Sequence, residues 1–167
     1  MNSADWLLDI AQIAMSLTGF SGLLIAFRFG DQRWKRIEVQ SLRFLFQSSI
    51  GAFVLALIPL PLFVARFEEE LIWTICFAAL GAWILILSGA ALIGRLRGLL
   101  NPELEVSYWA LTLSGLVMGA MQMAAAIGLF GLQAPAVYMI GLYWLLAVAI
   151  IQLMTQVMRS LDSMDSD

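Results

Sequence analysis

Five runs of the chain are almost unbroken stretches of apolar residues, separated by short segments in which charge, glycine and proline collect. A helix crossing a hydrocarbon layer about 30 Å thick needs about 20 mainly apolar residues. The runs from about Ile10 to Phe27, Phe44 to Ala65, Leu71 to Ile93, Val106 to Phe130 and Pro135 to Met158 have that character. No repeat with a period of 20–50 residues interrupts the pattern, and no connection is long enough to separate two domains. The pattern therefore predicts an all-α polytopic integral membrane protein, a bundle of five transmembrane helices forming one domain over residues 1–167.

Local signals sharpen the ends of these elements. Asn101-Pro102-Glu103 reads as an N-cap, a first-turn proline and an acid matched to the helix dipole, so the fourth helix is predicted to begin before its membrane portion. Gly98 is placed to end the third helix, Pro135 to open the fifth after a short turn at Gly131-Leu132-Gln133, and Asp31 to cap the second. Pro59 and Pro61 lie inside the second run and should kink it or end its regular hydrogen bonding. Glu68, Glu69 and Glu70 fall at the positive end of the third helix, where acids are favourable; the same run could form an acidic mouth, although charge runs usually make solvated faces.

Composition changes the picture by exclusion. Of 167 residues, 62% are hydrophobic and only 13% charged, against about 25% charged in an ordinary soluble domain, and the mean hydropathy is +0.90. Too little polar surface remains to wrap a water-facing exterior, which excludes a soluble enzyme, a disordered tail and a disulfide-stapled secreted scaffold. The net charge of −3 carries little information, but its distribution does. Of the nine Lys and Arg residues, only Arg66 falls on the side of the second connection. Arg28, Arg33, Lys35, Arg36, Arg43, Arg95, Arg97 and Arg159 fall on the other side. By the positive-inside rule this places the N-terminus outside and the C-terminus in the cytoplasm. Asp5 and Asp9 precede the first run and arginines follow it, the reverse of a cleavable signal peptide.

The chemistry available is narrow. The chain has no His and one Cys, Cys76, so imidazole ligation, an intrachain disulfide and a thiolate cluster are all excluded. Its one lysine, Lys35, lies in a basic connection rather than at membrane depth, so no Schiff-base lysine is available there. Polar side chains within the runs are the informative ones, because they are costly in lipid unless partnered. Asp5, Asp9, Gln12, Ser16 and Gly19 make one stripe on the first helix, with Thr18, Ser21 and Gly22 beside its inner end. Packed against neighbouring helices, with Asp5 and Asp9 in interfacial water, this face is structural. Open to water, Asp9 and Gln12 would begin an ion or proton site.

Counting about 1.5 Å per residue along each helix sorts the remaining polar groups into two layers. Gln12, Thr74 and Gln122 belong to an outer one. Gln47, Ser48, Ser49, Ser88, Thr112, Gln152, Thr155 and Gln156 belong to an inner one. The zone between holds Gly, Ala, Leu, Ile and Met, which argues against a hydrophilic path through a single subunit. Gly115 and Gly119 form a GxxxG step continued by Gln122 and Ala126, suited to a close helix contact within the chain or between copies. Met118, Met121 and Met123 read as packing residues rather than a copper path. Trp6, Trp73, Tyr138, Trp34, Tyr108 and Trp109 fit interfacial anchoring, while Trp83 and Trp144 lie deeper and need an indole N–H partner or a lipid-facing position. The cluster Arg33-Trp34-Lys35-Arg36 fits orientation, with anionic headgroup binding as the sharper alternative.

The stretch Thr18-Gly19-Phe20-Ser21-Gly22-Leu23-Leu24, the basic loop after it, and Leu45-Phe46-Gln47-Ser48-Ser49 ahead of Pro59 resemble a group of small multi-pass bacterial inner-membrane proteins to which no function is attached. The resemblance covers roughly the first third of the chain. It implies a bacterial inner-membrane location and supplies no site residues. The residues themselves predict a non-enzymatic membrane component without a cofactor or metal. Its partners would be the lipid bilayer and either copies of itself or another membrane protein, with no nucleic acid. The alternative is a small oligomeric channel or transporter. An intramembrane enzyme ranks third, because Asp9, Ser16 and Ser21 have no activating partner. The candidate polar and packing face comprises Asp9, Gln12, Ser16, Gln47, Gly115, Gly119, Gln122 and Gln152.

Overall fold

The computed structural model describes residues 3–28, 36–96, 105–129 and 134–164. Among them all regular structure is helical: α1 (Ser3–Arg28), α2 (Arg36–Leu57), α3 (Pro59–Val64), α4 (Glu69–Leu96), α5 (Glu105–Ala126) and α6 (Ala134–Met164). The expected features at Asp31, Arg33, Trp34, Lys35, Arg97, Gly98, Asn101-Pro102-Glu103 and Gly131-Leu132-Gln133 lie outside the described residues, as do the side chains of Arg28, Arg36, Arg95, Tyr108 and Arg159.

Proline chemistry sets the break between α2 and α3. Pro59 has no N–H to offer the carbonyl four residues back, so the Leu55 oxygen loses its α-helical partner. Ile58 N–H partly replaces it with a tighter bond at 3.3 Å, and the Tyr138 hydroxyl of α6 donates to the same oxygen at 2.6 Å. The helix direction survives the break, and Leu42–Val64 forms one apolar stretch. α3 then stops in a left-handed turn at Arg66 (φ 57°), closed by Phe67 N–H donating to Leu62 O at 3.4 Å. α4 starts with Ile72 N–H donating to Glu68 O at 3.0 Å, and its first-turn acids Glu69 and Glu70 face the positive end of the helix dipole. The Trp73 indole donates to the Glu69 carboxylate at 3.3 Å. α5 ends at Gly128 (φ 85°), where Leu129 N–H reaches Ala124 O at 3.1 Å in a glycine-terminated cap.

α4 packs along α5, α2 packs along both α1 and α6, and α6 touches every other long helix. The main core joins Leu7, Ile10 and Ala14 of α1 to Leu55, Ile72, Leu80, Ile84, Tyr138 and Leu142. A smaller cluster toward the other end gathers Leu42, Leu45 and Ala149, with Leu17 and Leu153 against it. At the α3 end, edge-on aromatic contacts bind three elements. Tyr138 meets Phe77 at 5.9 Å and Trp73 at 6.0 Å, and Phe63 meets Trp73 at 6.0 Å.

Four stretches are long and apolar enough to cross a membrane: Leu42–Val64, Glu69–Gly94, Trp109–Ala126 and Pro135–Met158. α1, the first of the five expected spans, is not among them. The side chains at its C-terminal end, residues 24–28, lie outside the described residues. Among the described residues the protein is therefore an all-helical bundle with four stretches long and apolar enough to cross a membrane, and α1 is a further long helix packed beside them.

Tyr138→Phe removes the donor that reaches the Leu55 carbonyl while keeping the ring. Because the carbonyl stays buried without it, the substitution is expected to cost about 1–3 kcal/mol, read as reduced resistance to thermal unfolding in mild detergent. Unchanged resistance would mean that Ile58 alone satisfies that oxygen.

Candidate functional site

Half of the inner polar layer expected from the sequence assembles around one feature. Ser48 of α2, Ser88 of α4, Thr112 of α5 and Gln152 of α6 line a cavity of about 40 Å³, walled on its apolar sides by residues such as Phe44, Leu87 and Trp144. All four polar residues are buried. They reach it because α4 and α5 pack as a pair while α2 and α6 pack as another, and the two pairs separate slightly at this level. The volume has room for about one or two water molecules, which need several polar neighbours to be stable in a buried site. Hydroxyls and amides can hydrogen-bond to such water, and none of them titrates near neutral pH. Gln156 and Ser49 are buried nearby in sequence, and the Ser49 hydroxyl has no partner. Gln47 is half-buried, and Thr155 turns back to donate to Ile151 O of its own helix at 2.8 Å.

The outer polar layer does not come together. Gln122 is fully buried and its amide N–H donates across to Val137 O of α6 at 2.8 Å, leaving Oε1 without a partner. Thr74 is exposed. Gln12 is exposed as well, and with it the whole stripe Asp5, Asp9, Gln12, Ser16 and Gly19. The stripe expected to pack against neighbouring helices, with Asp5 and Asp9 in interfacial water, is thus turned outward from the described bundle. The reason is the opposite face of α1. Leu7, Ile10, Ala11 and Ala14 make the more apolar stripe, and burying it turns the polar one outward. The α1 hydroxyls satisfy themselves on their own backbone: Ser16 donates to Gln12 O at 2.9 Å, Thr18 to Ala14 O at 2.9 Å and Ser21 to Thr18 O at 2.6 Å.

Glycines seat the helices. Gly119 leaves room for Leu85 of α4, and a Cβ at Gly115 would overlap the Ser88 hydroxyl and the Trp144 ring. The GxxxG step thus lies in an intramolecular α4–α5 contact that also receives α6. Three further close approaches carry no spacing motif and were not foreseen. Gly51 lies under the Trp83 indole, and Gly81 and Gly141 lie on either side of Gln122. Each is followed four residues later by leucine, so nothing in the local pattern distinguishes it. Trp144 donates to the Ser114 hydroxyl at 3.3 Å. Trp83 is half-buried, and its indole N–H, against Gly51 of α2, has no hydrogen-bond partner among the described residues.

Among the described residues no three His, Cys, Asp or Glu side chains come close enough to hold a metal ion. No protein-family model, curated protein or solved structure matches the chain.

A Cβ at Gly141 would come within 2.5 Å of the Gln122 amide nitrogen and 2.7 Å of Leu80. Gly141→Ala is therefore expected to break the Gln122–Val137 bond and lower stability by about 1–3 kcal/mol. Gly89→Ala, where an added methyl meets nothing within 4 Å, should leave stability unchanged or raise it slightly. Equal unfolding temperatures for the two variants would contradict the socket.

Proposed function

We propose that the protein is a non-enzymatic integral membrane component, a structural or accessory subunit that associates with itself or with a larger membrane complex. In this reading α1 is a fifth crossing, the N-terminus lies outside, the C-terminus is cytoplasmic, and the membrane is the bacterial inner membrane. The observation that carries the reading is the closed centre of the bundle. Between the buried Gln122 and the cavity bounded by Ser88 and Gln152 lie Leu80, Ile84, Leu142 and Leu145, each with 0% exposure. Conduction through one copy would need polar or ionisable groups where these leucines and this isoleucine interlock. The depth of α1 supports the fifth crossing. Leu7 and Ile10 share a cluster with Tyr138 and Leu55, and Leu17 packs against the cluster of Leu45 and Ala149. α1 thus runs beside the same thickness that α2 and α6 cross. The cation distribution along the chain supports the orientation.

One observation favours the alternative, a small oligomeric channel or transporter: Asp9 and Gln12 face out of the bundle, where several copies could enclose a shared path. Ion and proton flux into liposomes containing the purified protein separates the two readings. We expect the same flux as in empty liposomes, for the wild type and for Asp9→Asn alike. A wild-type current that Asp9→Asn abolishes would establish the conducting reading in place of the structural one.

A further inference from the structure

We infer that the cavity between the α2–α6 pair and the α4–α5 pair is a water-binding site, in which buried water bridges the Ser48 and Ser88 hydroxyls and ties the two pairs together. The inference goes beyond the proposed function and does not rest on it, because it concerns only the four stretches long and apolar enough to cross a membrane.

The first observation is the state of the two hydroxyls. Ser48 is 1% exposed and Ser88 is 5% exposed, and both line the cavity. The hydroxyls of Ser16, Thr18, Ser21, Ser114 and Thr155 each donate to a carbonyl of their own helix. Those of Ser48 and Ser88 do not, and among the described residues neither has a hydrogen-bond partner. A buried hydroxyl without a partner is costly. Two of them facing one space call for a molecule that both donates and accepts. The second observation is that the space is preserved. A Cβ at Gly115 would overlap the Ser88 hydroxyl, so this glycine of α5 is what allows the hydroxyl of α4 to stand at the cavity.

Size and charge select the occupant. The volume of about 40 Å³ exceeds the roughly 30 Å³ that one water takes in the liquid. It is far below the roughly 300–1,000 Å³ of pockets that hold organic ligands. No carboxylate lines the cavity, so a cation entering it would find no counter-charge to offset its lost hydration. Water fits on both counts. A buried water typically makes about three hydrogen bonds, and Thr112 and Gln152 stand beside the two serines. Each of the four apolar stretches thus supplies one polar residue to the site. At the α3 end the Tyr138 ring joins α6 to α4 by direct contact. Toward the other end, where the pairs stand apart, water makes the connection.

The test uses the full chain in lipid nanodiscs, with the methyl groups of alanine, valine and isoleucine labelled for nuclear magnetic resonance. Ala91 and Val148 line the cavity, and Ile84 lies fully buried in the apolar layer. Magnetisation should pass from water to the Ala91 and Val148 methyls and not to those of Ile84. Combining Ser48→Ala with Ser88→Ala removes the anchors of the water and should abolish that transfer. The same substitutions form a stability cycle, in which the change in helix propensity brought by each alanine cancels. Each alone should lower the folding equilibrium constant by about 3-fold, the average for an interhelical hydrogen bond in a membrane. The two hydroxyls do not bond to each other, so only a shared water couples them, and the pair should cost less than the product of the single effects. Strictly multiplicative effects would overturn the bridge. Absence of water transfer to both cavity methyls, or transfer from lipid chains in its place, would overturn the site. Transfer that also reached Ile84 would overturn its confinement to this level.

Discussion

A carbonyl oxygen that loses its helical N–H inside a lipid-facing bundle has no water to turn to, and the architecture is arranged around one such oxygen. Pro59 frees the Leu55 carbonyl, and the buried Tyr138 hydroxyl takes it at 2.6 Å. That bond fixes the start of α6 against the break between α2 and α3. The Tyr138 ring also meets Phe77 and Trp73 of α4, and Trp73 holds Phe63 of α3. One side chain therefore sets the relative height of three helices at this end. The helix break becomes a reference point for packing, because the freed carbonyl, met within its own segment by the Ile58 N–H at 3.3 Å, also takes a donor from a neighbouring helix.

Further down the bundle, close helix contact depends on glycine rather than on interlocking large residues alone. Gly119 admits Leu85, Gly51 admits Trp83, and Gly81 with Gly141 admits the Gln122 side chain. The last of these carries a polar anchor, since Gln122 bonds to the α6 backbone at Val137. Toward the other end the α4–α5 pair stands slightly away from α2 and α6, and the space is lined by hydroxyls and an amide from four helices. The Leu80, Ile84, Leu142 and Leu145 layer separates the two polar regions. Among the described residues the buried polar groups thus fall into two regions with this apolar layer between them.

The helical, membrane-type architecture was legible in the sequence because runs of about 20 apolar residues match the thickness of a bilayer and suit little else. The proline break was legible too, since a missing N–H can be read from one letter. Counting rise per residue placed Ser48, Ser88, Thr112 and Gln152 at one depth, and the structure gathers them around one cavity. The facing of α1 was not legible. The helix carries a polar stripe and an apolar stripe, and the rule that polar residues turn inward in membranes competes with burial of Leu7, Ile10 and Ala14 against α2 and α6. Tertiary packing decides between them, and periodicity alone does not. The Gly51, Gly81 and Gly141 contacts were hidden for a related reason. A lone glycine is a socket only if a large side chain on another helix arrives at its height, and that is not written in its own neighbourhood.

The proposed topology depends on α1 being a true crossing. Single-cysteine variants Asn2→Cys and Asp167→Cys, labelled with a membrane-impermeant thiol reagent in sealed vesicles of known orientation, test this directly. Buried Cys76 provides little background. Five crossings require the two positions to label from opposite sides, with residue 2 outside and residue 167 in the cytoplasm. Labelling of both from the same side would mean an even number of crossings and would contradict the five-crossing topology.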